Sequence, residues 1–368
     1  MAVNTATRVS LLQERMRQRD VSLVIVGPSP DLRYLLGRQP IAAERLMILL
    51  VSVNGSIMIL PDFDAAEFAA GTGFSNLITW SDRDGPADAV ASAFSRLALP
   101  PNPTVLVDDE LPFRFFLQVS DRLGTRLPGL ASTILAELRL IKSAEEQERI
   151  GRAGELVSIG IDAAMERAQP GMTELELKRA VEAVLWEAGA ESLDFVLVQA
   201  GANSASPHHM ADGTRMELGQ CVLVDIAARA QGYYADITQQ VFLGEPPEEY
   251  VRSYEVVRTA QEAGVQAARP GATVHDVDAA ASEVIEASEV AAWNGPSTGH
   301  GLGVDVHEPP RVVAGNFMEL RPGMVITVEP GVYIPNRFGI RIEDTVLVTE
   351  GEPRRLTRGA RPLLVKPS

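Results

Sequence analysis

Residues 221–238 read Cys221-Val-Leu-Val-Asp225-Ile-Ala-Ala-Arg229-Ala-Gln-Gly232-Tyr-Tyr-Ala-Asp236-Ile-Thr238. Two runs with the apolar and aromatic content of buried strands flank a glycine that can turn the chain. Each run carries one aspartate. Joined as antiparallel strands across Gly232, they bring both carboxylates to one face of a sheet.

A second pair follows the same logic. Glu329 follows Met324-Val-Ile-Thr-Val328, and Glu343 follows Ile340-Arg-Ile342 ahead of Thr345-Val-Leu-Val348, with Pro335-Asn336 and Gly339 marking the turn between them. His300 sits in Gly299-His-Gly-Leu-Gly303, where glycines let the backbone approach closely and aim the imidazole from a loop. Four carboxylates on buried strands repel one another and are costly unless cations pair them. Two divalent ions would neutralise Asp225, Asp236, Glu329 and Glu343 and accept His300 as a nitrogen ligand. A carboxylate-rich set with one imidazole suits Mn²⁺, Co²⁺ or Zn²⁺.

With 368 residues, the chain suits two domains. A hydrophobic content of 46% fits a water-soluble globular protein, and no apolar run has the roughly 18 residues that a membrane span needs. The first ten residues lack the apolar core of a secretory signal. The single cysteine, Cys221, cannot form an internal disulfide, so a reducing, cytoplasmic setting is expected. A net charge of −16 argues against nonspecific binding to nucleic acid or to an anionic membrane.

Along the first third, helices and strands alternate. A helix is expected over 9–19, strands over 21–26, 77–80 and 104–107, and helices over 87–97 and 113–123. A hairpin is expected from 46–52 to 56–60 across a type I′ turn at Asn54-Gly55. The stretch 124–129 marks the end of this α/β domain, which contains no histidine. The boundary is placed between residues 132 and 133. Beyond it, Ser143 and Glu146 form a capping box for a long helix stopped by Pro170-Gly171, and Thr173 caps the next. The remainder reads as two helices, paired strands, two helices, paired strands.

Several segments carry a resemblance. They are Leu223-Val-Asp225 with Asp236-Ile-Thr238, Gly299-His-Gly-Leu-Gly303 with His307-Glu308, Val328-Glu-Pro-Gly331 and Gly339-Ile-Arg-Ile-Glu-Asp344. In this order and at these spacings they resemble the creatinase/aminopeptidase ("pita-bread") metallopeptidases, in particular the proline-directed branch of prolidases and aminopeptidases P. The resemblance implies an α+β fold, with residues 1–132 a creatinase-like N-terminal domain and 133–368 a pita-bread catalytic domain in which helices pack outside a curved antiparallel sheet. It also implies a homodimer and hydrolysis of the Xaa-Pro imide bond by a hydroxide bridging two metals, Mn²⁺ first among them. Glu329 then serves as ligand and proton shuttle, while His208 and His307 stabilise the intermediate.

Two arginines are candidates for substrate binding. Arg341 can hold a ligand carboxylate in orientation, as the Thr238 hydroxyl can. Arg311, after His307-Glu-Pro-Pro310, can clamp the free carboxylate of a dipeptide and so favour Xaa-Pro dipeptides. His209 reads as a neighbour of His208, and His275 as structural. Many relatives have Ser-Asp-x-Thr-Arg around the second aspartate where this chain has Ala235-Asp-Ile-Thr-Gln239, which leaves fine specificity open. Four alternatives remain at this stage: aminopeptidase P action on longer Xaa-Pro peptides; creatine hydrolysis, which the intact ligand set counts against; methionine aminopeptidase action, which the N-terminal domain disfavours; and a non-catalytic peptide-binding module.

Overall fold

A computed structural model describes residues 5–41, 44–123, 127–359 and 361–367. The chain divides into two units, Met1–Arg139 and Leu140–Ser368.

The first unit runs α1 (Thr5–Gln18), β1 (Leu23–Val26), α2 (Pro30–Leu36), β2 (Ile48–Ser52), β3 (Gly55–Pro61), α3 (Asp62–Thr72), β4 (Leu77–Trp80), α4 (Ala87–Leu97), β5 (Val105–Val107), α5 (Phe113–Val119), β6 (Gly129–Leu130) and α6 (Ser132–Leu140). Its sheet has the order β4-β3-β2-β1-β5-β6. Leu23 and Ile25, Ile48 and Leu50, and Ile57 and Ile59 alternate along their strands and bury one face against Ala89, Val90, Ala93 and Leu97 of α4.

The expected hairpin is present, but its turn is Val53-Asn54, with Ser52 paired to Gly55. Neither turn residue has a positive φ, so the type I′ expectation is corrected. The Ser52 hydroxyl accepts from Asn54 N at 3.4 Å and donates to Gly55 O at 3.2 Å, supporting the turn with a side chain instead. Helices α2, α3 and α6 have no counterpart in the sequence reading. The unit extends past residue 132 because α6 is tied into it: Tyr34 donates to Leu138 O, and Arg139 pairs with Asp31 at 2.7 Å. Residues 124–126, in the stretch expected to end the domain, lie outside the described residues.

The second unit runs α7 (Ala144–Arg167), α8 (Glu174–Glu187), β7 (Ser192–Ala200), β8 (Gln220–Ala230), β9 (Tyr233–Leu243), α9 (Glu248–Ala267), α10 (Val274–Glu286), β10 (Gly299–Gly301), β11 (Glu308–Val312), β12 (Val325–Val328), β13 (Gly331–Ile334), β14 (Phe338–Arg341), β15 (Asp344–Leu347), β16 (Arg354–Arg355) and β17 (Leu364–Lys366). Three sheets form, in the orders β17-β9-β8-β7, β11-β10-β12-β15-β16 and β13-β14.

The echo between the two halves of this unit is visible in matching details. Pro170-Gly171 and Pro270-Gly271 end α7 and α9, and capping boxes at Thr173 and Thr273 start α8 and α10. Thr173 and Thr273 also make equivalent isolated bridges, to Arg215 and Glu319. Helices α7 and α8 pack on β7–β9, whereas α9 and α10 pack on β12–β15, on Val312 of β11 and on Cys221 and Phe242 of β8 and β9. The face of β8 and β9 opposite α7 and α8 carries Asp225, Asp236 and Thr238, and further along the same strands it packs Cys221 and Phe242 on α9.

Candidate metal centre

Strands β8 and β9 meet across Gln231-Gly232, with φ of 52° and 82°. Those two positive values define the two-residue turn that matches the twist of a hairpin. Asp225 pairs with Thr238, and Asp236 lies two residues from Thr238, so both carboxylates and the hydroxyl share one face. Gln239 points the other way. Its amide donates to Gly359 O and its oxygen accepts from Tyr254, so the departure at this position lies away from the site.

The second pair of acids is not carried within strands. β12 pairs with β15 and β13 with β14, while Glu329 falls in the gap between β12 and β13, and Glu343 in the gap between β14 and β15. At that break the backbone of Glu343 donates to Thr238 O at 3.1 Å, and that of Glu329 to Thr298 O at 2.8 Å. These bonds draw the acids onto the face that holds Asp225 and Asp236.

His300 lies in β10, between β11 and β12, and the expectation of a loop is corrected. A Cβ at Gly299 would stand 2.2 Å from Thr327 O, so glycine is what allows β10 to lie this close to β12. His300 N donates to Thr327 Oγ1 at 3.0 Å, and the same hydroxyl donates to Glu329 Oε1 at 3.0 Å. His300 Nδ1 lies 2.9 Å from Gly301 O. A carbonyl can only accept, so Nδ1 carries the proton, and Nε2 faces Glu329 Oε1 at 3.3 Å and Asp236 Oδ2 at 3.9 Å. This is the tautomer a metal ligand requires.

Ligand atoms of Asp236, His300 and Glu343 lie within 4.8 Å of one another. Arg341 Nη2 donates to Asp225 Oδ2 at 2.6 Å, and Thr238 Oγ1 donates to Glu343 Oε2 at 2.7 Å. The other oxygen of each of these carboxylates, Asp225 Oδ1 and Glu343 Oε1, is buried and meets no hydrogen-bond partner among the described residues. A buried bare carboxylate oxygen is costly, and a cation removes that cost.

The electrostatics agree. Burial, then repulsion from Glu343, Asp225 and Glu329, holds the Asp236 carboxyl well above its usual range. Burial, then Glu329 and Asp225, does the same to Glu343. Burial also pushes Glu329 upward, but the hydrogen bond and charge of His300 and the charge of Arg341 bring it below its ordinary value. Burial alone would lower His300, yet Glu329 raises it. Without metal, then, the group shares protons to limit its negative charge. The donor set therefore fits divalent ions.

A cavity of about 250 Å³ opens over Asp225, Asp236, His300, Glu329 and Arg341, walled by Phe195, Leu197, Pro207 and Met210, with His208 and His307 at its edge. His208 and His307 are exposed, and the His307 ring stands 4.4 Å from that of His300. Partial desolvation of the ring against the cavity wall, and then the charge of the neighbouring His300, lower the His307 pKa. The guanidinium of Arg341 is engaged by Asp225, Thr238 and Tyr333, which makes it a support for the acids. Arg311 pairs with His300 across β10 and β11, on the same face, but it is exposed and outside the cavity. His209 binds Glu174 at 2.8 Å, and His275 packs on Phe317. Sequence reasoning did not find Thr327, Tyr333 or the apolar wall. Tyr333 offers a faint signal, since it sits opposite Gly339 in the β13–β14 hairpin.

Residues 148–350 match the sequence profile of metallopeptidase family M24. The chain belongs to that family. Residues 8–141 match the creatinase/prolidase N-terminal domain, so an M24 pita-bread domain follows a creatinase-like one, as expected. This M24 chain is 34% identical to a probable dipeptidase PepE of Mycobacterium bovis, over 98% of this chain and 96% of that protein. It is 30% identical to an Xaa-Pro dipeptidase of Pyrococcus horikoshii, over 97% and 98% of the two chains. A prolidase structure from Thermococcus sibiricus superposes with a TM-score of 0.94 at 32% identity, covering 100% of both chains. Among the described residues, no helix is long and apolar enough to cross a membrane.

Proposed function

We propose that this M24 peptidase is an Xaa-Pro dipeptidase whose two divalent ions are held by Asp225, Asp236, His300, Glu329 and Glu343. The observation that carries the reading is the pair of bare, buried oxygens, Asp225 Oδ1 and Glu343 Oε1, on the face that holds the other acids. Relatives named as Xaa-Pro dipeptidases and prolidases support the substrate class. The bound ions supply Lewis-acid polarisation of the scissile carbonyl and a water acidified towards neutral pH.

The chain's own groups do the rest. Glu329, with 22% of its side chain exposed, is more open to the cavity than Asp225 or Asp236 and is placed to carry a proton to the proline nitrogen as it leaves. His208 and His307 line the cavity, and each would offer an N–H to the oxygen of the carbonyl under attack. Proline leaves no backbone N–H at the cleaved bond, and a site built from metals and histidines does not require one. Phe195, Leu197 and Met210 give the cavity an apolar wall. Mn²⁺ as the native metal, a homodimer and a cytoplasmic location belong to the same proposal.

The cavity, at about 250 Å³, is smaller than the roughly 300–1,000 Å³ of most ligand pockets and suits a two-residue substrate. One observation favours aminopeptidase P action instead: Arg311 lies exposed, outside the cavity, where a longer peptide could pass it. Mn²⁺-supported cleavage of Ala-Pro and of Ala-Pro-Ala, with and without chelator, separates the two. Chelator-sensitive preference for the dipeptide is expected. Preference for the tripeptide moves the reading to aminopeptidase P, and cleavage of neither removes both.

A further inference from the structure

Two buried polar residues, neither of them a metal ligand, converge on the segment that carries His208: Gln199, on the face of β7 that also carries Leu197, and Glu174, at the start of α8. Gln199, fully buried in β7, donates through Nε2 to Pro207 O at 3.2 Å and to His209 O at 3.1 Å, the carbonyls on either side of His208. Glu174, fully buried at the first position of α8, accepts four donors. Ala200 N at 2.7 Å and Asn203 Nδ2 at 3.0 Å meet Oε1, while His209 Nε2 at 2.8 Å and Asp212 N at 3.3 Å meet Oε2. An ionised carboxylate only accepts, so His209 Nε2 carries the proton. Glu174, His209 and Asp212 also have the spacing of a cation site, but two protein donors already meet each Glu174 oxygen, which leaves no room for an ion.

A histidine on an exposed turn loses side-chain and backbone freedom when it meets a reacting carbonyl, and that cost falls on the rate unless the turn is held beforehand. We propose that Glu174 and His209, together with Gln199, are positioning residues that fix the His208 imidazole at the rim of the cavity. The inference rests on the reading of His208 as a donor to the scissile carbonyl. The pin acts through geometry: Glu174 grips the ring of His209, Gln199 grips the two flanking carbonyls, and only the His208 side chain is left free to face the substrate.

The test is a double-mutant cycle on the metal-loaded enzyme with Ala-Pro: His208→Ala, His209→Phe, both together, and His209→Gln as the donor-retaining rescue. His209→Phe is expected to lower kcat about tenfold or more with KM and metal content unchanged. His209→Gln should recover most of that loss, and the double variant should be no slower than His208→Ala alone. If the two losses multiply, or if His209→Phe leaves kcat intact, the positioning role is overturned while His208 keeps its own. Full activity in His208→Ala removes both readings. Should His209→Phe fail to fold, Gln199→Met enters the same cycle, with the same outcomes deciding.

Discussion

Arg341 Nη2 stands 2.6 Å from Asp225 Oδ2, and this contact leaves the second oxygen of that carboxylate bare. The guanidinium also donates to Thr238 at 3.2 Å and to Tyr333 at 2.9 Å, so its fork fixes the plane of the acid. Arg341→Lys keeps the charge and loses the fork. Metal affinity is expected to fall by about 10–100-fold, as for other outer supports of metal ligands. Titration of the apo-protein with Mn²⁺ measures it, and an unchanged binding isotherm would contradict the supporting role.

Removing the metals should make stability strongly pH-dependent. In the apo-protein, Asp236 and Glu343 have folded pKa values raised above their ordinary 3.8 and 4.5 by burial and mutual repulsion. The folded state then holds protons that the unfolded chain has released, so stability falls as pH rises through that window. His300, raised above 6.5 by Glu329 against the effect of burial, adds stability that is lost in the same direction as it deprotonates. Bound ions need the acids ionised and the imidazole neutral, so the gap between metal-loaded and apo melting temperatures should widen from about pH 5 to pH 8. Parallel melts across that range decide it. A gap that narrows with rising pH would place the ions elsewhere.

Lys142 and Glu308 form an ion pair at 3.3 Å with only 2% of either side chain exposed. Glu308 Oε1 also accepts from Asp305 N at 3.1 Å, so the pair braces the turn leading to His307. Lys142→Met removes a buried cation that faces the Glu308 carboxylate and should cost up to about 3–5 kcal/mol in urea unfolding. Lys142→Met combined with Glu308→Leu should recover a large part of that. If the single and double variants are equally unstable, the loss lies in packing rather than in the broken ion pair.

Arg311 shares a sheet face with His300 and has no ion pair among the described residues. If it clamps the dipeptide carboxylate, Arg311→Ala should raise KM for Ala-Pro about tenfold, the scale of one charge-assisted hydrogen bond. KM for Ala-Pro-Ala should hold steady, because its carboxylate lies a residue further on. Equal rises for both peptides would argue for a general electrostatic effect instead.

The sequence by itself determined which residues could meet. The apolar runs Cys221–Val224 and Tyr233–Thr238, joined as antiparallel strands across Gly232, put Asp225 and Asp236 on one face, and the capping boxes at Ser143 and Thr173 set where α7 and α8 begin. These are local signals, carried by side-chain type at a period of two residues or at a helix start. Only the tertiary structure decided that His300 lies in a strand, because Gly299-His-Gly301 has almost no side chains to pattern and pairs through backbone alone. The break that releases Glu329 and Glu343 from their strands was equally invisible, since it arises where two strand pairs part company. By local pattern Glu174 is one of two acids, with Glu176, in the first turn of α8. Its four donors come from residues 200–212, and contacts across that distance depend on how β7 and α8 pack rather than on any local pattern.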